Sequence, residues 1–270
     1  MNLKFRKLFA PISLPIFFFV VAIIIGAILL HSSFSCYISN ISWLDALFTA
    51  TSAVCVTGLT VVDTGNTFTQ IGQTILIALI QLGGLGIMSF SSLAFYLWKR
   101  RVSLTDRIAV GQTLLHDSRF HLGKFLIQIV TVTFIIELSG ALILFVIAPN
   151  NFTPFSAIFH SISAFCNAGF SLNADSLMYY KGNWPINLTI ICLIILGGAG
   201  FSVLIEGKSF ILSLIRGGVR RRKRSWHFTI VVKTSFILII VGWVFLFFSE
   251  FINYKEYLPL HEAILTSLFQ

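Results

Sequence analysis

The chain has 270 residues, 56% hydrophobic and 11% charged, where soluble globular proteins carry about 25% charged residues. With a mean hydropathy of +0.90, this composition excludes an ordinary soluble domain and marks an integral membrane protein. The formal net charge of +9 does not point to nucleic acid, because the basic residues gather at the ends of apolar runs.

A helix needs about 20 apolar residues to cross the hydrocarbon core. The first run, residues 12–30, follows Lys4, Arg6 and Lys7 and has the outline of a signal peptide. It is longer than the roughly 7 to 15 residues usual there and no small-x-small cleavage site follows, so it reads as a retained first helix. Further runs lie at 71–98, 125–148, 186–205 and 228–251. Two connections are long and partly apolar. Within them, 43–54 and 155–165 suit short helices that cannot span, which makes them re-entrant half-helices.

All Lys and Arg other than Lys181 and Lys255 lie before the first run, between the second and third, or around the junction of the fourth and fifth. Cytoplasmic loops carry this excess, so the N-terminus is expected inside, with 101–124 and the basic loop 208–227 cytoplasmic and 31–70, 149–185 and 252–270 outside. The run Arg220-Arg221-Arg222-Lys223-Arg224 suits anionic lipid headgroups. It equally suits a docked cytosolic partner.

A shift of 111 residues superposes Phe48 on Phe159, Ser52 on Ser163, Ala53 on Ala164, Cys55 on Cys166 and Gly58 on Gly169. A slightly longer shift places Gly83, Gly84 and Gly86 on Gly197, Gly198 and Gly200. The expected unit is helix, half-helix, glycine-containing strand, helix. It occurs in 1–100 and again in 125–207, and a third unit starts in 228–270, where Leu268-Phe269 match Leu47-Phe48.

Non-helical backbone at membrane depth is tolerated where it is buried or lines a watery cavity. A half-helix ending there presents its C-terminal partial negative charge, which favours a cation. Carbonyls beyond it replace the water of a dehydrated ion. Gly58 and Gly169 fit the positive φ and open path this requires. At these residues the chain resembles the Trk/Ktr/HKT family of potassium transporters, through Ser52-Ala53-Val54-Cys55-Val56-Thr57-Gly58-Leu59, Phe165-Cys166-Asn167-Ala168-Gly169-Phe170 and Leu196 to Phe201.

The resemblance implies an all-α membrane fold in which four such units surround a pseudo-fourfold pore. Val54, Cys55, Val56, Thr57 and Gly58, with Cys166, Asn167, Ala168 and Gly169, would then supply two quarters of a potassium filter. The start at the first helix is nearer KtrB-type than TrkH-type subunits. It implies a multi-pass plasma-membrane homodimer in the lipid bilayer on a cytosolic ring of nucleotide-binding regulatory subunits. Potassium is the substrate, some members depend on sodium, and no covalent cofactor or nucleic acid is involved. Cys55 stands where Thr is usual, Cys166 where Asn is common, and Ser202 where a Pro is usual. With the third filter strand and fourth unit missing, the chain reads as a truncated N-terminal part. The competing expectation is a membrane-inserted remnant that conducts nothing.

Other residues keep two readings. Gly83, Gly84, Gly86, Gly197, Gly198 and Gly200 are structural, serving close helix packing. Glu137, in the middle of an apolar run, is either functional or a neutral acid bonded to a neighbouring helix. Asp63 concentrates cations at the mouth or caps a turn. His160 is expected behind the pore. Cys36, Cys55, Cys166 and Cys192 form no CxxC pair or zinc pattern, and no catalytic constellation appears, so the chain reads as a non-enzyme.

Overall fold

Apolar sequence in lipid must satisfy its backbone hydrogen bonds within the segment, and the α-helix is the local way to do so. The computed structural model, which describes residues 13–37, 41–86, 122–215, 225–253 and 260–270, is accordingly helical, with no strand among the described residues. The helices are α1 (Ser13–His31), α2 (Trp43–Cys55), α3 (Thr64–Thr67), α4 (Gln70–Gly84) and α5 (Leu122–Ile147). They continue as α6 (Pro154–Phe165), α7 (Trp184–Gly198), α8 (Phe201–Ile215), α9 (Trp226–Asn253) and α10 (Leu260–Phe269).

Side-chain caps start the helices that frame the loops. Ser42 Oγ accepts from the Asp45 N–H at 3.1 Å to open α2, and Thr153 Oγ1 accepts from the Ser156 N–H at 3.2 Å to open α6. Thr69 opens α4 through the Gly72 N–H, and Asn183 opens α7 through the Ile186 N–H. Pro154 and Pro185 sit in the first turns of α6 and α7, where no intrahelical N–H bond is lost.

Leu126–Ile147 and Trp226–Ser249 are long and apolar enough to cross a membrane, with mean hydropathies of 2.4 and 2.5. The apolar side chains of α9 stay exposed, Phe236 at 64% and Phe245 at 72%, as on a helix whose solvent is lipid. Residues 186–205, expected as one span, are two helices: α7 ends at Gly198, α8 starts at Phe201, and the pair is bent by 110°. The chain turns at Gly200, where φ is +86°, and the Gly200 carbonyl then accepts from Val203 and Leu204 to start the new direction. Hydropathy is the same on both sides of such a bend, so it left no mark in the apolar pattern. Helix α8 also continues through residues expected in the cytoplasmic loop from 208. Of the expected span 71–98, α4 covers 70–84; residues 87–98 lie outside the described residues, as do 101–121 and the Arg220 to Arg224 run.

Two packed groups hold the core. In one, α1 lays Gly26 against Ala50 of α2 and Leu79 of α4. In the other, α5 lays Gly140 against Ser161 of α6 and Leu193 of α7. Bare glycine faces let the backbones close in, which is how membrane helices gain dispersion contacts when lipid is as apolar as they are. Buried Gln73 donates to the carbonyls of Gly65 and Phe68, and buried Asn187 donates to those of Tyr180 and Asn183, so each fixes the chain entering its helix.

Candidate functional site

Helix α2 ends at Cys55 and Val56 follows in the left-handed region at φ 57°. Its N–H bonds the Ala53 carbonyl at 3.3 Å and the Thr57 N–H bonds the Ser52 carbonyl at 3.0 Å. After α6 the same pattern recurs: Asn167 has φ 57°, its N–H bonds Ala164 at 3.0 Å, and the Ala168 N–H bonds Ser163 at 2.7 Å. This paired closure satisfies the last carbonyls of a helix and turns the chain away from its axis. Gly58 and Gly169 come two residues later at φ +73° and +71°, a conformation that costs an L side chain about 1–2 kcal/mol.

The two loops touch. A Cβ on Gly58 would come 2.8 Å from the Ala168 carbonyl oxygen, and one on Gly169 would come 3.1 Å from the Gly58 Cα. Each loop also carries a hydroxyl tie: Thr57 Oγ1 donates to Ser52 Oγ at 2.9 Å, and Ser163 Oγ donates to the Phe170 carbonyl at 2.7 Å.

Gly83 and Gly84 of α4 and Gly197 of α7 press on these loops. A Cβ at Gly83 would run into the Val54 carbonyl oxygen, and one at Gly197 into the Phe165 carbonyl oxygen. Gly84 lies against the Cys166 sulfur, which joins α4 to the second loop. Gly198 has only the Asn167 side chain within ordinary contact, at 3.8 Å, and Gly86 and Gly200 have nothing near the Cβ they lack.

Behind the second loop the packing is polar. Gln81 Nε2 donates to Glu137 Oε2 at 3.2 Å, and the Cys166 thiol lies 4.0 Å from Glu137 Oε1. Gln81 is absent from the residues legible in sequence, where it is one of two amides, with Gln73, in the apolar run 71–98. His160 is buried. Its Nδ1 pairs with the Ser156 carbonyl at 2.8 Å, a bond that requires hydrogen on Nδ1 and leaves Nε2 to accept from Ser171 Oγ and the Leu172 N–H. That arrangement uses both ring nitrogens to hold the outgoing chain.

Asp63 caps α3: Oδ1 accepts from the Gly65 and Asn66 N–H groups at 3.0 and 3.2 Å, and Oδ2 accepts from Asn66 Nδ2 at 2.8 Å. Cys55 is exposed while Cys166 is buried, so the two residues at matching positions differ in access. Among the described residues no group of His, Cys, Asp and Glu is arranged to hold a metal ion.

The described residues are helical, as in an all-α membrane protein, and two glycine loops meet beyond the ends of α2 and α6. The chain belongs to the family described as TrkH, cation transport protein, which matches residues 16–267. It is 43% identical over 212 residues to Ktr system potassium uptake protein B of Bacillus subtilis, covering 76% of this chain and 46% of that protein. It is 33% identical over 255 residues to potassium/sodium uptake protein NtpJ of Enterococcus hirae, covering 93% and 55%. With Ktr system potassium uptake protein B of Vibrio alginolyticus it shares 41% identity over 175 residues, covering 62% and 38%. The chain spans about half the length of the curated relatives it matches.

Proposed function

We propose that this chain forms part of a KtrB-like potassium uptake subunit, and that Val54 to Gly58 and Cys166 to Gly169 are two quarters of its selectivity filter. The observation that carries this reading is the matched pair of loops: each leaves a half-helix through a left-handed residue, each reaches a positive-φ glycine two residues on, and the two glycines meet. Names of relatives support the ion, since these are potassium uptake proteins.

In this mechanism a potassium ion sheds water and takes main-chain carbonyl oxygens in exchange, with the membrane potential and gradient supplying the driving force. The C-terminal ends of α2 and α6 each add about half a negative charge, screened little in a dry protein interior. Matching placements support the repeated unit: caps at Ser42 and Thr153, loop glycines Gly58 and Gly169, and buttressing glycines Gly83 and Gly197. The subunit sits in the plasma membrane with its N-terminus cytoplasmic, pairs as a homodimer, and rests on a cytosolic nucleotide-binding ring. Sodium accompanies or supports uptake, in line with the potassium/sodium name of the Enterococcus hirae relative.

The test uses the full reading frame that carries this chain, in a potassium-uptake-deficient host. Gly58→Ser and Gly169→Ser are expected to raise sodium uptake relative to potassium. Unchanged growth at low potassium with unchanged ion preference in both variants overturns the filter assignment.

A further inference from the structure

Behind the second loop, buried polar side chains from several helices meet. Glu137, in the middle of α5, is only 3% exposed, and no ion pair to it occurs among the described residues. A carboxyl group at such depth is expensive to keep, and removing its partners is more expensive still. Here the partners come from three other places. Gln81 on α4 donates to its Oε2, the Cys166 thiol reaches its Oε1, and Ser161 on α6 donates to its main-chain carbonyl at 2.6 Å. The Cys166 thiol also lies 3.9 Å from Gln81 Oε1, and Gly84 gives the sulfur its room on α4.

Among the described residues nothing equivalent stands behind the first loop. A 111-residue shift back from Glu137 and Ser161 reaches Gly26 and Ala50, which offer no polar side chain, and Cys55 is exposed. The second loop is therefore braced by a polar strut running from α4 through Gln81 and Glu137 to Cys166, and the first is not. Cys166 is the residue with which the second loop begins, so a shift of the strut moves every carbonyl that follows. Sites discriminate closely similar ligands when the groups around the contacting atoms fix them in place.

We propose that Glu137 is a specificity-determining positioning residue, which braces the second loop against α4 through Gln81 and Cys166 and thereby holds its carbonyls at the spacing that prefers potassium over sodium. This rests on the filter reading of the loops. A strut acting by shape and hydrogen bonding, rather than by charge, survives replacement of the carboxyl with a carboxamide of the same size. It does not survive truncation.

The experiment measures potassium and sodium uptake by cells making the full reading frame, with the amount of each variant in the membrane quantified. Glu137→Ala and Gln81→Met are expected to lower the potassium-to-sodium preference about tenfold, the scale set by losing one buried hydrogen bond. The double variant is expected to be no worse than the poorer single one, because both remove one strut. Glu137→Gln is expected to keep the wild-type preference. If Glu137→Ala does not reach the membrane, Gln81→Met carries the test. Wild-type preference in Gln81→Met, or equal loss in Glu137→Gln and Glu137→Ala, overturns the proposal. Gly169→Ser serves as the reference: if it shifts the preference while the strut variants do not, the strut fails alone, and if it shifts nothing, the filter reading has failed first.

Discussion

Val56 and Asn167 share a φ of 57°, and each stands two residues before a glycine whose missing side chain faces the other loop. Alanine at Gly58 or Gly169 adds a left-handed penalty of about 1–2 kcal/mol and a backbone clash on top of it. Each single substitution is expected to lower unfolding stability in detergent by at least about that amount. The pair is expected to cost less than the sum, because either one alone already parts the loops. Thermal unfolding of the two single variants and the double variant checks this, and strictly additive losses would mean that the loops do not share a contact.

Neighbouring glycines of α7 give a sharper contrast. A Cβ at Gly197 collides with the Phe165 carbonyl, whereas one at Gly198 meets only the Asn167 side chain, at 3.8 Å. Gly197→Ala is expected to destabilise by about 1–3 kcal/mol, as overpacking against fixed backbone does, and Gly198→Ala to stay near wild type. On α4, Gly83→Ala is expected to behave like Gly197→Ala, since it meets the Val54 carbonyl. Melting temperatures of the three purified variants decide the matter.

Much of this arrangement is legible in the sequence. Lipid forces long apolar runs and caps force visible starts, so α1, α2, α5, α6 and α9 lie within a few residues of their expected bounds. The loop glycines are legible because the repeat aligns Gly58 with Gly169 and glycine takes positive φ without a side-chain penalty. The bend between α7 and α8 is not, since apolar content says nothing of backbone direction. Nor is the Gln81, Glu137 and Cys166 contact, which joins residues 56 and 29 positions apart and depends on how three helices pack. Asp63 keeps two roles in sequence because a short acid before Thr-Gly-Asn can face a cation at a mouth or cap a turn. The structure adds the contacts that engage both of its oxygens.

Thiol access separates Cys55 and Cys166, which stand at matching positions in the sequence repeat. Cys55 is exposed, Cys166 is buried against Gly84 and Glu137, and Cys36 is buried beyond the end of α1, where desolvation pushes its thiol up and disfavours the reactive thiolate. A small thiol reagent is expected to modify Cys55 at least about tenfold faster than Cys166 or Cys36, following thiolate access. Silver block of uptake is then expected to disappear in Cys55→Thr alone. Mass spectrometry of the labelled protein measures the rates, and block that persists until Cys166 is also replaced would reverse the order.

The two roles open to Asp63 make opposite forecasts for two substitutions. Asparagine keeps a side-chain oxygen that accepts from the Gly65 and Asn66 N–H groups but carries no charge, and alanine keeps neither. With capping as the main role, Asp63→Asn is expected to retain stability and Asp63→Ala to lose about 1 kcal/mol, the usual worth of an N-cap. Half-saturation for potassium is then expected to be equal in the two variants and close to wild type. A charge acting at the mouth instead raises local cation concentration, so Asp63→Asn and Asp63→Ala would weaken uptake alike, most at low ionic strength where screening is least. Uptake measured across a series of salt concentrations, beside melting temperatures of the same variants, tells the two apart. With both carboxylate oxygens already occupied by α3, the capping outcome is the one expected.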